Sequence, residues 1–142
     1  MEQRITMTTL AVSDLAQTRR FFEDGLGWTP APGGTDQVAF YQLPGAILGL
    51  YDRESLEKDL GRSLPKETLG GMTLAWNGRS EAEVDAAYEQ AVAAGAKPLT
   101  RPEKVFWGGY SGYVEIPGGH LLELAYNPFW QLKADGTVEL PA

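Results

Sequence analysis

The chain has 142 residues, of which 43% are apolar and 22% charged, a composition typical of a soluble globular protein of one domain or two closely packed halves. Its net charge of −7 argues against nucleic-acid binding, which favours clustered lysine and arginine, and no apolar run reaches the roughly 20 residues of a membrane span. Cysteine is absent, which excludes disulfides and thiolate chemistry, and the N-terminus lacks the pattern of a secretory signal, so we expect a cytoplasmic protein.

The first part of the chain predicts a strand, a helix and two further strands. Residues 5–12 divide into two alternating sets that each contain apolar side chains, as in a strand with both faces at least partly covered. Asp14, with Gln17 three residues later, forms a capping-box pattern that predicts a helix start, and Gly25 lies where the helical spacing ends. The strands "VAFYQL" and "AILGLYDR" follow, joined by a Pro-Gly turn.

The second part of the chain predicts the same order of elements. A strand over residues 72–76 precedes Ser80, which has Glu83 three residues later and therefore forms a second capping box. Gly95 ends the predicted helix. The segments "KPLTRP", "GGYSGYVEI" and "HLLELAYN" follow, the last two joined by a Pro-Gly-Gly turn.

Local sequence similarity supports an internal repeat. "TLAV" at residues 9–12 matches "TLAW" at residues 73–76, and "LPGAILGLY" matches "IPGGHLLELAY". A repeat of about 65 residues predicts an α+β fold of tandem βαβββ units; the alternative is coincidence between two mixed stretches. We expect one domain over residues 1–142. Its parts are a first unit at about 4–52, a solvated linker at 53–69 with at most a short helical turn, a second unit at about 70–127 and a tail at 128–142.

The tandem units resemble the vicinal oxygen chelate superfamily, which includes glyoxalase I, extradiol dioxygenases and bleomycin-resistance proteins. The resemblance covers roughly residues 4–127 and rests on "TLAVSDLAQTRRFFEDGLGW" and "GGYSGYVEIPGGHLLELAYN" in combination. It implies that each unit curls its mixed sheet into a U-shaped cup around a cavity. A fold does not by itself establish a function, so the site residues must be judged separately.

The resemblance also implies where a metal would bind. In the metal-dependent members, four strands each project one ligand, usually His or Glu; the matching positions here are Met7, Gly49, Gly71 and Glu123. Only Glu123 keeps a ligand residue type, because a thioether is a soft donor and glycine has no side chain. A catalytic zinc takes about three protein ligands, so we expect no catalytic divalent metal and no other cofactor.

His120 and Glu123 lie three positions apart in the last predicted strand of the repeat. Side chains alternate between faces along a strand, so the two are predicted to point to opposite sides. His120, the only histidine, is either a polar residue at a strand start or a general base at the cavity rim. Glu123 either bonds a neighbouring donor or faces a ligand, and it is the candidate catalytic acid–base group.

Aromatic residues cluster before and within "GGYSGYVEI". Phe106, Trp107, Tyr110 and Tyr113 surround three glycines, and such flat side chains with polar tips suit the wall of a ligand cavity. They equally suit a core or the interface of a homodimer, which we expect because it would cover exposed sheet edges.

The incomplete ligand set therefore favours a metal-free protein that binds a small hydrophobic or cationic molecule. The resemblance implies that such a protein would act like the bleomycin-resistance proteins. The candidate ligand-binding residues are Glu123, Met7, Phe106, Trp107, Tyr110 and Tyr113. Two alternatives remain: a metal-dependent lyase, isomerase or dioxygenase of the glyoxalase type, and a metal-free enzyme that uses Glu123 or His120 as an acid–base group. We expect neither nucleic acid nor a membrane as a partner.

Overall fold

The computed structural model describes residues 3, 5, 7–66 and 72–139. A π-helical turn, Phe21–Gly25, continues the first helix. No helix in these ranges is long and apolar enough to cross a membrane. The helices and strands, in chain order, are β1 Met7–Val12, α1 Leu15–Arg20, β2 Val38–Leu43, β3 Ala46–Asp52, α2 Arg53–Leu60, β4 Thr73–Asn77, α3 Glu81–Ala93, β5 Lys97–Lys104, β6 Tyr110–Ile116, β7 His120–Tyr126, β8 Gln131–Leu132 and β9 Val138–Glu139.

The strands form two mixed sheets and a C-terminal hairpin. The first sheet has the order β1-β3-β2, the second has the order β4-β7-β6-β5, and β8 pairs with β9. In both sheets the first strand runs parallel to the last, whereas the other neighbours are antiparallel. The α+β fold class with curved, unclosed mixed sheets is therefore confirmed.

The first sheet has one strand fewer than the second. The segment that follows the helix of the first unit runs beside β2, and the amide of Ala31 donates a hydrogen bond of 2.7 Å to the Phe40 carbonyl. Pro30 and Pro32 flank that residue and have no amide hydrogen to donate. The prolines therefore prevent a regular ladder at this edge.

Both predicted helix starts are confirmed. The Asp14 carboxylate accepts a hydrogen bond of 2.8 Å from the Gln17 amide at the start of α1. At the start of α3, the Ser80 hydroxyl accepts one of 3.2 Å from the amide of Glu83. Each bond satisfies an amide that lacks a partner within the helix, which explains why short sequence patterns were enough to locate these ends.

A helix, α2, occupies the first half of the segment predicted to be a linker. The Asp52 carboxylate accepts hydrogen bonds of 2.9 Å from both the amide and the hydroxyl of Ser55, and Gly61 ends the helix with φ +66°. These local bonds stabilise a full two-turn helix rather than a single turn. The end of the linker and the start of the second unit, residues 67–71, lie outside the described ranges.

One hydrophobic core connects the helix-bearing faces of the two units. Its most buried members come from both sheets and both long helical segments: Leu10, Val12, Phe21, Leu50, Val84, Val114 and Ile116. The two units also meet where the hydroxyl of Thr18 approaches the Pro117 carbonyl at 3.4 Å.

The core covers one face of each sheet. On the opposite face of the first sheet, the Tyr51 hydroxyl donates a hydrogen bond of 2.7 Å to Asp59 of α2. In the second sheet α3 packs on the core face, and the opposite face is the helix-free face.

Candidate functional site

Two of the four inherited ligand positions are neighbours on the face of the first sheet that points away from the core. A Cβ atom added to Gly49 would lie 3.1 Å from Thr9 Oγ1 and 3.6 Å from Met7 Sδ. Met7 and Thr9, but not Gly49, border a small cavity of about 320 Å³ together with Phe40 and Tyr51. Glu123 lies at the centre of β7 in the second sheet and does not line this cavity. Gly71, the remaining position, lies outside the described residues.

The donors at these positions do not fit the metal that the superfamily's chelating members hold. Met7 offers a neutral thioether, Gly49 offers no side chain, and Glu123 offers one carboxylate. Hard and borderline divalent ions are held by several oxygen or nitrogen ligands. Within the described ranges, no three or more His, Cys, Asp or Glu side chains lie close enough together to hold a metal ion.

Glu123 is paired with Tyr113. The two residues are directly opposite in the antiparallel register of β6 and β7, and both are half-buried. Burial, and then the neighbouring Glu123 carboxylate, raise the pKa of Tyr113 above its ordinary value. Glu123 forms no ion pair with any described residue. The site is thus a carboxylate next to one neutral phenol, with Ala75 beside it in β4.

His120 has a different environment from Glu123. Its Nε2 atom lies 2.9 Å from the carbonyl oxygen of Ala11, so the ring connects β7 to β1 of the other unit. It shares a face of β7 with Leu122 and Leu124, which pack into the core. The prediction that His120 and Glu123 point to opposite faces is confirmed, and the observed partner gives His120 a structural contact.

The four aromatic residues do not form one wall. The Tyr110 hydroxyl donates a hydrogen bond of 2.8 Å to Asp85 of α3, which places this ring on the helix-bearing face. Trp107 packs over Gly109, where any side chain would overlap the indole, and Phe106 is fully exposed. Only Tyr113 lies next to Glu123, because residues three apart in β6 face opposite sides of the sheet.

A larger cavity of about 640 Å³, which we call the inter-unit cavity, lies between parts of the two units. Trp28 and Tyr41 line it from the first unit, and Trp76 and Leu124 line it from the second. The β8–β9 hairpin closes one side through Leu132 and Val138. Sequence analysis missed these residues, because they come from six separate segments and no spacing in the sequence indicates that they meet.

A polar cluster stands behind one wall of the inter-unit cavity. The buried Tyr41 hydroxyl donates to Glu23 Oε1 at 3.1 Å, and Arg19 Nε donates to the same oxygen at 2.8 Å. The bond from Arg19 is the main reason that the pKa of Glu23 is lowered. Burial, and then the hydrogen bond to Glu23, raise the pKa of Tyr41 far above its ordinary value.

Replacing Tyr41 with phenylalanine is expected to flatten the alkaline end of the stability profile. Above pH about 10 the unfolded chain releases the tyrosine proton and the folded chain retains it, so stability present below that pH is lost as the pH rises. Urea unfolding between pH 8 and 11 measures this slope, and wild type should lose stability more steeply than Tyr41→Phe. Equal slopes would show that Tyr41 does not titrate differently in the two states.

The sequence and the fold identify the family. The model of the Glyoxalase/Bleomycin resistance protein/Dioxygenase superfamily matches residues 4–124. The chain belongs to this superfamily. The superfamily resemblance inferred from the two repeated segments is therefore confirmed.

Members of the superfamily with solved structures share the whole architecture. A glyoxalase-related enzyme from Fulvimarina pelagi is 37% identical, with a TM-score of 0.92 over 99% of this chain and 100% of that chain. Lactoylglutathione lyase from Agrobacterium tumefaciens is 20% identical, with a TM-score of 0.72 over 94% of this chain and 100% of that chain, and shows the fold alone. Among curated sequences, an uncharacterized protein of Mycobacterium bovis is 30% identical over an alignment of 116 residues that covers 78% of this chain and 75% of that protein.

Proposed function

We propose that this member of the superfamily binds a small hydrophobic or cationic molecule without a metal, and that Glu123 receives the cationic group of that molecule. The observation that carries the proposal is the pair formed by Glu123 and Tyr113 on the helix-free face of the second sheet. The other described positions of the inherited set, Met7 and Gly49, add no charge. The register neighbours of Glu123, Tyr113 and Ala75, carry no charge.

The environment of Glu123 favours a cationic ligand. A half-buried carboxylate loses part of its hydration, and a neutral phenol compensates for only part of that loss. An ammonium or amidinium group would supply the missing charge, and hydrogen bonds to charged groups are stronger than neutral ones. Ala75 beside the carboxylate leaves space for such a group, whereas a longer side chain would cover it.

Thermal-shift and calorimetric measurements of binding test the proposal. They use pairs of compounds, and each pair consists of an amine and its neutral isostere. At least one amine should stabilise the wild-type protein, and Glu123→Gln should weaken its binding by about tenfold or more, since hydrogen bonds to charged groups contribute about 1.5–3 kcal/mol. Glu115→Gln is the matched control, because Glu115 also lies in the second sheet but pairs with Lys97 at 4.0 Å. Equal affinity of the amine for wild type and Glu123→Gln would overturn the proposal, as would a broad panel in which no amine binds.

A metal-free acid–base enzyme is the second candidate. The 37% identical Fulvimarina pelagi protein is described as a glyoxalase-related enzyme, and Glu123 is a carboxylate to which a proton could be transferred. Deuterium exchange at the carbon next to the carbonyl group of a bound compound separates this candidate from simple binding. The exchange is monitored by NMR in the presence of a chelator. Exchange that Glu123→Gln abolishes would support catalysis, and binding without exchange would support the first candidate.

A further inference from the structure

We propose that the inter-unit cavity is a second binding site, separate from Glu123, and that it takes a neutral, largely apolar, planar molecule with a hydrogen-bond donor at one end. The cavity has a volume of about 640 Å³, within the range of about 300–1,000 Å³ that is common for small-molecule sites. Protein interiors otherwise pack closely, so a half-open space of this size between two units leaves room for a small molecule.

The lining explains the planar, apolar character of the ligand. Trp28 and Trp76 line the cavity from opposite units, and Leu48 and Leu122 add aliphatic surface from each sheet. Indole rings offer flat faces on which another planar molecule can stack. Leu122 lies next to Glu123 in β7, and alternation along the strand directs its side chain to the opposite face. The Leu122 side chain that lines the inter-unit cavity therefore lies on the opposite side of the sheet from Glu123. Among the described residues, the cavity reaches the Glu123 side only in the edge strand β4, which contains Ala75.

The charge of the lining explains why the ligand is neutral. The chain has 12 Lys and Arg, 19 Asp and Glu and one His, yet none of those among the described residues lines the inter-unit cavity. Glu23, which lies nearby, is held by Arg19 and by the Tyr41 hydroxyl. A charged molecule would lose hydration inside the cavity without meeting an opposite charge, which is costly.

Two glutamines explain why the ligand carries a donor. Nε2 of Gln90 donates to the Gly25 carbonyl at 3.3 Å, and Nε2 of Gln42 donates to the carbonyls of Leu43 and Ala46 at 2.9 and 3.1 Å. Both amide groups use their nitrogen for the protein, and both glutamines are exposed, so their side-chain oxygens accept from solvent or from a bound molecule. The lining offers acceptors, which an N–H or O–H group of the ligand would satisfy.

The C-terminal hairpin closes the inter-unit cavity on one side. Leu132 of β8 and Val138 of β9 line the cavity. The hairpin is attached through Arg79, whose Nη2 donates to the Lys133 carbonyl at 2.9 Å. The hairpin is a separate two-stranded sheet, so the core does not depend on it and a variant there can alter the cavity without unfolding the protein.

Binding of N-phenyl-1-naphthylamine, a neutral planar probe with one N–H donor, tests the proposal on the full chain. Its fluorescence should rise on binding, with quenching of the tryptophans. Ala87→Leu fills the cavity from α3 and should lower the affinity for the probe at least tenfold. Ala86→Leu, at the exposed neighbouring position, should leave the affinity for the probe unchanged. The anionic probe 8-anilinonaphthalene-1-sulfonate should bind at least tenfold more weakly than the neutral one.

The outcomes also separate this site from the site at Glu123. Glu123→Gln should leave binding of the neutral probe unchanged, even where it abolishes binding of an amine. Equal affinity of the neutral probe for wild type and Ala87→Leu, or tighter binding of the anionic probe, would overturn the proposal. Should Ala87→Leu fail to fold, Leu132→Ala in the hairpin decides the matter: a loss of probe affinity of at least fivefold supports the site, and no loss refutes it.

Discussion

Replacing Phe21 with alanine is expected to lower the free energy of unfolding by about 3–5 kcal/mol. Phe21 is 1% exposed and begins the π-helical turn, and its ring packs edge-on against Phe22 with a centroid distance of 5.1 Å. Removing the ring forfeits its transfer from water and leaves a cavity that the surrounding strands and helices can fill only in part. The effect is expected to be large because Phe21 belongs to the core that joins both units.

Urea unfolding followed by circular dichroism measures this loss. Phe106→Ala is the matched control, because it removes the same ring from a fully exposed position and should change stability by less than about 0.5 kcal/mol. A Phe21→Ala protein that unfolds at the same urea concentration as Phe106→Ala would contradict the position of Phe21 in the core.

Replacing Gly112 with alanine is expected to destabilise the protein by about 3 kcal/mol, at the upper end of ordinary overpacking. Gly112 lies in β6, and an added Cβ would lie 2.6 Å from the Pro102 nitrogen and 2.8 Å from the Thr100 carbonyl oxygen. Those atoms belong to the backbone of β5, whose register shifts between Thr100 and Glu103. A backbone cannot move aside as the end of a side chain can, so the pairing of β5 with β6 must be disturbed.

Gly61→Ala is the control for Gly112→Ala. Gly61 has φ +66° but open space around its Cβ position, so alanine there should cost only about 1 kcal/mol for the left-handed backbone. Thermal and urea unfolding of both variants give the comparison. A larger loss at Gly61 than at Gly112 would show that backbone conformation, and not the close approach of β5, dominates the cost of replacing glycine in this fold.

Local sequence patterns predicted the elements that local bonds stabilise. Asp14 and Ser80 cap helices as expected, because a cap needs only a side chain and an amide a few residues away. The alternation of β7 correctly placed His120 and Glu123 on opposite faces, because the side-chain period of a strand is a local property.

The sequence predicted the linker segment and the aromatic cluster less well. The segment after Asp52 looked like a solvated linker because it is polar, yet the hydrogen bonds from Ser55 to Asp52 are enough to start a helix. The four aromatic residues near β6 looked like one cluster because they are close in sequence. The sheet separates Tyr110 from Tyr113, and Phe106 projects into solvent.

The sequence by itself determined the repeat, the superfamily and the donor chemistry of the inherited ligand positions, because these depend on which residues occur and at what spacing. Only the tertiary structure decided which side chains meet across the two units. Trp28 and Trp76 share a cavity because two sheets from distant parts of the chain pack together. Such contacts depend on packing between distant segments, and no local spacing in the sequence specifies that packing.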